Sequence, residues 1–294
     1  MPNVIEKFKK YTTRLDKVYQ QSAKTAVLDG DNELVQLGAN AGEFLVPMIN
    51  MDGLGDYDRN SGYANGSVSI TMQAKKCDYD RGRRFTVDTM DNEETAGVMF
   101  GTLAAEFIRT KVVPELDAYR FAKYASIRNI PSDSGELYTG KDVLNALRKA
   151  KTQMQDNEVD LDNLLLFISP GLVGAVQDID TTVSKEVMKS FSQVIEVPRK
   201  RFYTAIDLLD GRTDDELTGG FKPAEGAYPI NFLMIDKKAV IQYQKHVVNK
   251  VISPEANQTT DGWLFFYRAY GIAEHYLNKI NGIYLHHGTT AYGG

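Results

Sequence analysis

Residues 80–84, Asp-Arg-Gly-Arg-Arg, crowd four charges around a glycine, and a short alternating stretch and a run of acids follow. Arg81, Arg83 and Arg84 are the residue type that grips phosphate, but no aromatic residues interleave with them to stack on bases. Asp88, Asp91, Glu93 and Glu94 have the oxygen chemistry of a hard-cation site. Helix capping accounts for the last three without a metal: Asp91 is a good N-cap, and Glu94 follows it three residues on. Residues 29–33, Asp-Gly-Asp-Asn-Glu, start like a calcium loop, yet Leu34 and Asn40 stand where that loop needs glycine and glutamate. Residues 198–201, Pro-Arg-Lys-Arg, could touch phosphate, although a solvated cluster fits an acidic chain better. The four histidines are His246, His275, His286 and His287. The adjacent pair alternates across a strand and points to opposite faces. Cys77 has Lys75 and Lys76 nearby, which favours thiolate, but no histidine is placed to make it a nucleophile. Dinucleotide, P-loop, nucleophile-elbow and zincin patterns do not occur.

The totals agree with this near-empty search. The chain has 294 residues, 43% hydrophobic and 25% charged, enough to bury a core. A net charge of -5 supplies no global field for DNA or anionic membrane. A single cysteine excludes a disulfide framework within the chain and fits a reducing compartment. No run approaches the ~20 apolar residues of a membrane helix, and the N-terminus is too polar for a signal peptide.

The elements that would position these residues are uneven in character. Residues 3–20 carry one apolar stripe, Ile5, Phe8, Tyr11, Leu15 and Val18, and predict an amphipathic helix. Residues 29–66 are glycine-rich and without helical period, so they read as an extended arm that needs a neighbour to be ordered. Residues 67–74 alternate strictly, with Val68, Ile70, Met72 and Ala74 on one face, and predict a half-exposed strand paired with 84–88. A hairpin with such a charged end projects into water or onto another molecule, and alone it is marginal. From 91 to 128 an apolar stripe predicts a long helix of ~55 Å, interrupted at Pro114 by a kink or a restart. Beyond it come a helix over 141–157, a buried strand at 164–169, a short helix after Pro170, strands at 230–236, 246–253 and 262–276, and a last strand at 283–287. Asp236 is placed to cap a short helix over 237–244. An arm that cannot fold alone and a projecting hairpin on an α/β body fit a building block covered by its own copies.

Six segments in order, "MDGLGDYDRNSGY", "DRGRRFTVDTMDNEET", "EFIRTKVVPELDAYRFAKYA", "VPRKRFYTAIDLLDG", "INFLMIDKKAVIQYQKH" and "YRAYGIAEHYLNKINGIYLHH", resemble the major capsid proteins of tailed bacteriophages. The resemblance covers nearly the whole chain. It implies an α+β fold shared with encapsulins: an N-terminal arm (1–40), a first part of the peripheral domain (41–61), an extended hairpin loop (62–90), the spine helix within 91–135, an axial domain (136–245), return strands (246–275) and a C-terminal hairpin (276–294). It implies a structural protein, not an enzyme and without cofactor or metal, that forms hexamers and pentamers of an icosahedral head around double-stranded DNA. That head would assemble in a bacterial cytoplasm with a separate scaffolding protein, a portal and a decoration protein. Lys75, Lys76, Arg81, Arg83, Arg84, Asp88, Glu93 and Glu94 become candidates for contacts between subunits. Some members join subunits through lysine and asparagine; Lys75 or Lys76 with Asn249 or Asn257 would be the pairs, although no carboxylate is seen beside them in the sequence. The alternatives are an encapsulin-like compartment around protein cargo, and a cytoplasmic enzyme built on His246 and His275.

Overall fold

The computed structural model describes residues 23–30, 36–37, 43–60, 62–89 and 104–293. The helix expected over 3–20, the capping residues Asp91 and Glu94 and the acid Glu93 lie outside the described residues, as does the first part of the long helix.

The body is a five-stranded sheet covered on both faces. Its strands are β5 (Ser132–Ser134), β6 (Leu164–Ile168), β7 (Gln193–Glu196), β10 (Ile230–Asp236) and β13 (Ile283–His287), in the order β5-β13-β10-β6-β7. Two-sided burial explains why β6 reads Leu-Leu-Leu-Phe-Ile and β10 Ile-Asn-Phe-Leu-Met-Ile-Asp with almost no polar alternation. Successive residues of these runs divide between two cores. Leu165, Phe167, Leu233 and Ile235 pack with Phe121 and Tyr124 of α1 (Val113–Ala125) and with Leu28. Leu164, Leu166, Ile168, Phe232 and Met234 pack under α2 (Gly140–Asp156) and α3 (Pro170–Gln177). α4 (Thr182–Lys189) adds Val187 and Met188 to the rim of that second core.

α2 begins as its sequence dictates: Thr139 accepts from the backbone of Asp142, whose carboxylate accepts from the backbone of Thr139 in return. Gly140 follows that cap, and a Cβ there would stand 2.0 Å from the carbonyl oxygen of Ala175 in α3. The obstacle is backbone, so it cannot swing aside. Gly140→Ala should separate α2 from α3 and cost at least the ~1–3 kcal/mol of an overpacked core; a denaturant midpoint no lower than that of the parent would contradict the close approach.

A second sheet, β11-β12-β4, stands apart from the first. Its central strand β12 (Gly262–His275) pairs antiparallel with β11 (Val240–Ile252) and with β4 (Tyr79–Asp88). Phe265, Tyr267 and Ala269 of β12 and Tyr79 of β4 pack against Ile108, Val112 and Leu116 of the long helix. That helix is continuous through 104–125 in the described residues, and it passes Pro114 by a π-helical turn at Ile108–Val112. A proline lacks the N–H the ladder needs and crowds the carbonyl four residues back; the widened turn absorbs both faults in place of a break.

Three local expectations are corrected. The short helix foreseen over 237–244 is one 3-10 turn, Lys237–Ala239, capped by Asp236, and the chain then enters β11 directly. Residues 43–51, read as irregular, form β2 (Glu43–Met51), to which β1 (Gln36–Leu37) adds a short edge. β3 (Val68–Lys76) pairs with β2 and not with 84–88, because β4 has β12 as its partner. Cys77 and Asp78 are the junction where the chain leaves one sheet and enters the other.

One buried titratable group bears on stability. His286 stacks on Phe232 with ring centroids 4.9 Å apart, and Asn231 Nδ2 donates to its Nδ1 at 3.2 Å. The same amide nitrogen donates to the carbonyl of Gly135, so the ring proton sits on Nε2. Burial holds this imidazole below its ordinary range. As pH falls below about 6.5 the unfolded chain takes up the proton first, so stability drops towards acid and is recovered above that value. His286→Asn, whose Oδ1 can accept the same bond, should remove that part of the decline between pH 7 and 5 in denaturant titrations of the soluble subunit.

Candidate functional site

The ribbon formed by β2 and β3 has one wholly apolar face. In its register Met51 lies opposite Val68, Ile49 opposite Ile70, Pro47 opposite Met72 and Leu45 opposite Ala74. Directly opposed residues share a face, so eight apolar side chains make one surface. Ile49, Met51, Val68, Ile70 and Met72 are 46–68% exposed. Nothing among the described residues covers them.

The ribbon is held at its root by charge. Lys75 Nζ donates to Glu274 Oε2 of β12 at 3.2 Å, and Lys123 of α1 lies 3.8 Å from the other oxygen of Glu274. Lys123 and Tyr119 both donate to Asp78 at the junction. Lys76 beside them is exposed.

The arginines expected at a hairpin tip are instead on β4, bound within their own subunit. Arg81 Nε donates to Glu115 at 2.7 Å, and its Nη2 donates to the carbonyl of Leu209 at 2.7 Å. Burial opposes the charge on Arg81, but the Glu115 bond outweighs it and holds its acidity below the ordinary value. Arg83 Nη2 donates to the carbonyl of Leu217 at 2.8 Å. These two side chains fasten β4 to the hairpin of β8 (Ile206–Leu209) and β9 (Gly220–Pro223). Gly211 and Gly219 have φ of 69° and 61°, and a Cβ on Gly211 would stand 2.5 Å from Arg83 Nη1. Glycine there lets the loop turn and leaves room for the guanidinium. Arg84 and Asp88 are exposed on the same strand.

A third cluster pins the arm. Asp117 of α1 is fully buried and accepts four bonds: from the backbone N–H of Lys24 and of Thr25 (3.0 Å each), from Thr25 Oγ1 (2.7 Å) and from Arg201 Nη1 (2.9 Å). Arg120, one turn on, donates to Thr25 Oγ1 at 2.9 Å and to Asp29 at 3.0 Å. Gln242 of β11 donates to Thr25 O and Asp29, and accepts from Tyr124. Residues 24–29 are therefore seated on their own subunit. Asp29 is engaged in this clasp, and Arg201 of the Pro-Arg-Lys-Arg cluster belongs to it too.

No group of three or more histidine, cysteine, aspartate or glutamate residues suited to a metal occurs among the described residues. The side chains of His246 and Asn249 lie outside them. Asn257 is closed on itself: its amide donates to Thr260 and to Gly262 O, and its oxygen accepts from Thr259 and Thr260. That leaves it poorly placed to meet a lysine. No helix among the described residues is long and apolar enough to cross a membrane.

Sequence reasoning missed β2 and the Asp117 clasp. Both had a signal: period-two alternation in Leu45, Pro47, Ile49 and Met51, and an aspartate and an arginine three apart inside an apolar helical stripe.

No protein-family model and no curated protein sequence matches the chain. Solved structures do. The virus-like particle from Pyrococcus furiosus matches with a TM-score of 0.58 at 11% identity, over 95% of this chain and 99% of that one. The capsid of Cyanophage P-SCSP1u matches with 0.56 at 11% identity, over 87% and 86%. The capsid of Staphylococcus phage Andhra matches with 0.54 at 12% identity, over 89% and 84%. The chain has the tailed-phage capsid fold. At such identities the likeness is one of fold, and it covers most of the mixed α+β chain described above.

Proposed function

We propose that the chain is the structural subunit of a closed icosahedral shell, with no catalytic role. The observation that carries this reading is the ribbon: five large exposed apolar side chains, Ile49, Met51, Val68, Ile70 and Met72, that no described residue covers are the surface another molecule would cover. In a shell the cover is the next copy. The finer reading is a major capsid protein of a tailed phage, in hexamers and pentamers around double-stranded DNA. On this reading residues 1–40 are the arm, and the extended loop, expected over 62–90, is assigned to the β2–β3 ribbon within 43–76. The long helix and the β11-β12-β4 sheet make the peripheral domain, and the five-stranded body is the axial domain. Scaffolding protein, portal and decoration protein would be its partners, and packaged DNA would slide along a wall with a net negative charge. A compartment shell around protein cargo is the second reading, and the end-to-end match to the Pyrococcus furiosus particle supports it.

The test is to express the chain alone, fractionate by size and image the large fraction by negative-stain electron microscopy. Closed shells, tubes or rings of five or six are expected. A compact monomer at high concentration, with or without a candidate scaffold, would refute the reading. Nuclease-protected DNA in particles from the native host would favour a phage head, and a co-purifying enzyme the compartment.

A further inference from the structure

Two asparagines are followed by glycine, Asn65-Gly66 and Asn281-Gly282. In such a pair the side-chain carbonyl carbon and the next backbone nitrogen meet readily, because glycine has no Cβ to bar the approach and turns freely. Sequence gives the two pairs equal standing, and the fold separates them.

Asn65-Gly66 lies in the turn of the ribbon, just beyond the backbone bond from Asp52 N–H to Ser67 O at 3.1 Å. Both residues are exposed and belong to no strand. Gly66 N–H donates to no described residue. A Cβ on Gly66 would meet nothing within 4 Å, so the backbone there has room to rotate. Asn281-Gly282 is the central pair of a turn closed by Ile283 N–H donating to Ile280 O, and it runs straight into β13. Gly282 is buried, and a Cβ on it would stand 2.6 Å from the Cβ of Ala239. Closing a ring at Asn281 would have to displace that packed turn.

We propose that Asn65 is a self-modification site, at which the turn of the ribbon converts itself with water as its co-reactant. The Gly66 nitrogen loses its proton and attacks Cγ of Asn65. The N–Cγ bond forms, the Cγ–Nδ2 bond breaks, and the amide leaves as ammonia. Water then opens the five-membered imide at either carbonyl, breaking that C–N bond and leaving aspartate or isoaspartate. Nothing is oxidised or reduced. Each event adds a carboxylate to a tip that already carries Asp52, Asp56 and Asp58. The isoaspartate form also inserts one carbon into the backbone of the turn, where no ladder bond is lost. The site belongs to the single subunit and stands whether or not the shell reading does.

Mass spectrometry tests it. Trypsin releases residues 60–75, which follow Arg59 and end at Lys75, apart from the peptide that carries Asn281. The intact folded chain is held in mildly alkaline buffer made with heavy-oxygen water. Asn65 should become a mixture of aspartate and isoaspartate, each with one heavy oxygen, about tenfold or more faster than Asn281. In denaturant the two rates should converge to within a few-fold, since only the fold spares Asn281. Gly66→Ala has room for its methyl and needs no left-handed backbone, so its unfolding midpoint should match the parent. That variant should slow conversion of Asn65 by about tenfold or more. Equal rates at the two asparagines in the folded chain, aspartate without isoaspartate, or a Gly66→Ala variant as fast as the parent would overturn the proposal.

Discussion

Asp117→Ala should destabilise the subunit by about 3–5 kcal/mol, the cost of removing one partner from a buried ionic cluster. The aspartate is fully buried, and its four donors come from two places far apart in sequence, the arm at Lys24–Thr25 and the turn at Arg201. Without it two backbone N–H groups lose their acceptor, and Arg201 loses its carboxylate partner. The effect should be local before it is global. Trypsin should cut at Lys24 under conditions where the parent resists, and the denaturant midpoint should fall. Asp117→Asn should be intermediate: it keeps the shape, but its amide nitrogen must face groups that donate. A midpoint within ~0.5 kcal/mol of the parent, the range of ordinary surface changes, would show that the clasp does not hold the arm.

This clasp also changes the picture of the arm. The resemblance leads one to expect a segment that crosses to a neighbour from its start to about residue 40. Instead, Thr25–Leu28 forms a 3-10 turn seated on α1 and β11 of its own chain, with Leu28 in the main core. The arm is therefore tethered part-way along. Any reach towards a neighbour is set by the chain on either side of this anchor.

How much was legible depends on where each residue's partners come from. β6, β10 and β13 are readable because a strand buried on both faces is apolar along nearly its whole length, which is a local property; β12, read as buried on both faces, instead exposes Arg268 and leaves Phe266 and Tyr270 half-buried on that face. α2 is readable because cap, stripe and end all lie within 18 residues. β2 was hidden by Pro47, which demotes a strand in any local reading, although here the proline sits opposite Met72 within the ladder. The pairing of 67–74 with 84–88 was the natural guess from two alternating runs separated by the charged stretch 75–83. It failed because β12, about 180 residues further on, competes for β4 and wins with a ten-residue register. The same fact moved Arg81 and Arg83 from an exposed tip to a clamp on the β8–β9 loop. The charge was legible, but the surface it faces was not. Asp117 was masked in the same manner, since helix periodicity marks its position as inward-facing and says nothing of an arm ninety residues upstream that supplies the donors.

Ile49→Glu with Ile70→Lys should abolish shell formation while leaving the fold of the subunit intact. The two residues are direct cross-strand partners on the apolar face, 50% and 63% exposed. An opposite-charge pair at that position supports the ribbon by roughly 0.2–1 kcal/mol relative to an alanine pair, so the hairpin should survive. What changes is the face it offers. Covering an apolar side chain of this size contributes about 1.5–3 kcal/mol, and the double variant removes two such gains at every contact and adds the cost of desolvating charge. Because each copy repeats the loss, the yield of closed particles should fall by a hundredfold or more, with the unfolding midpoint unchanged. Ile49→Val with Ile70→Val keeps the face apolar and should assemble nearly as well as the parent. If the charged pair still forms shells, the ribbon's apolar face does not make the contact between copies, and the cover that its five exposed residues need must come from elsewhere.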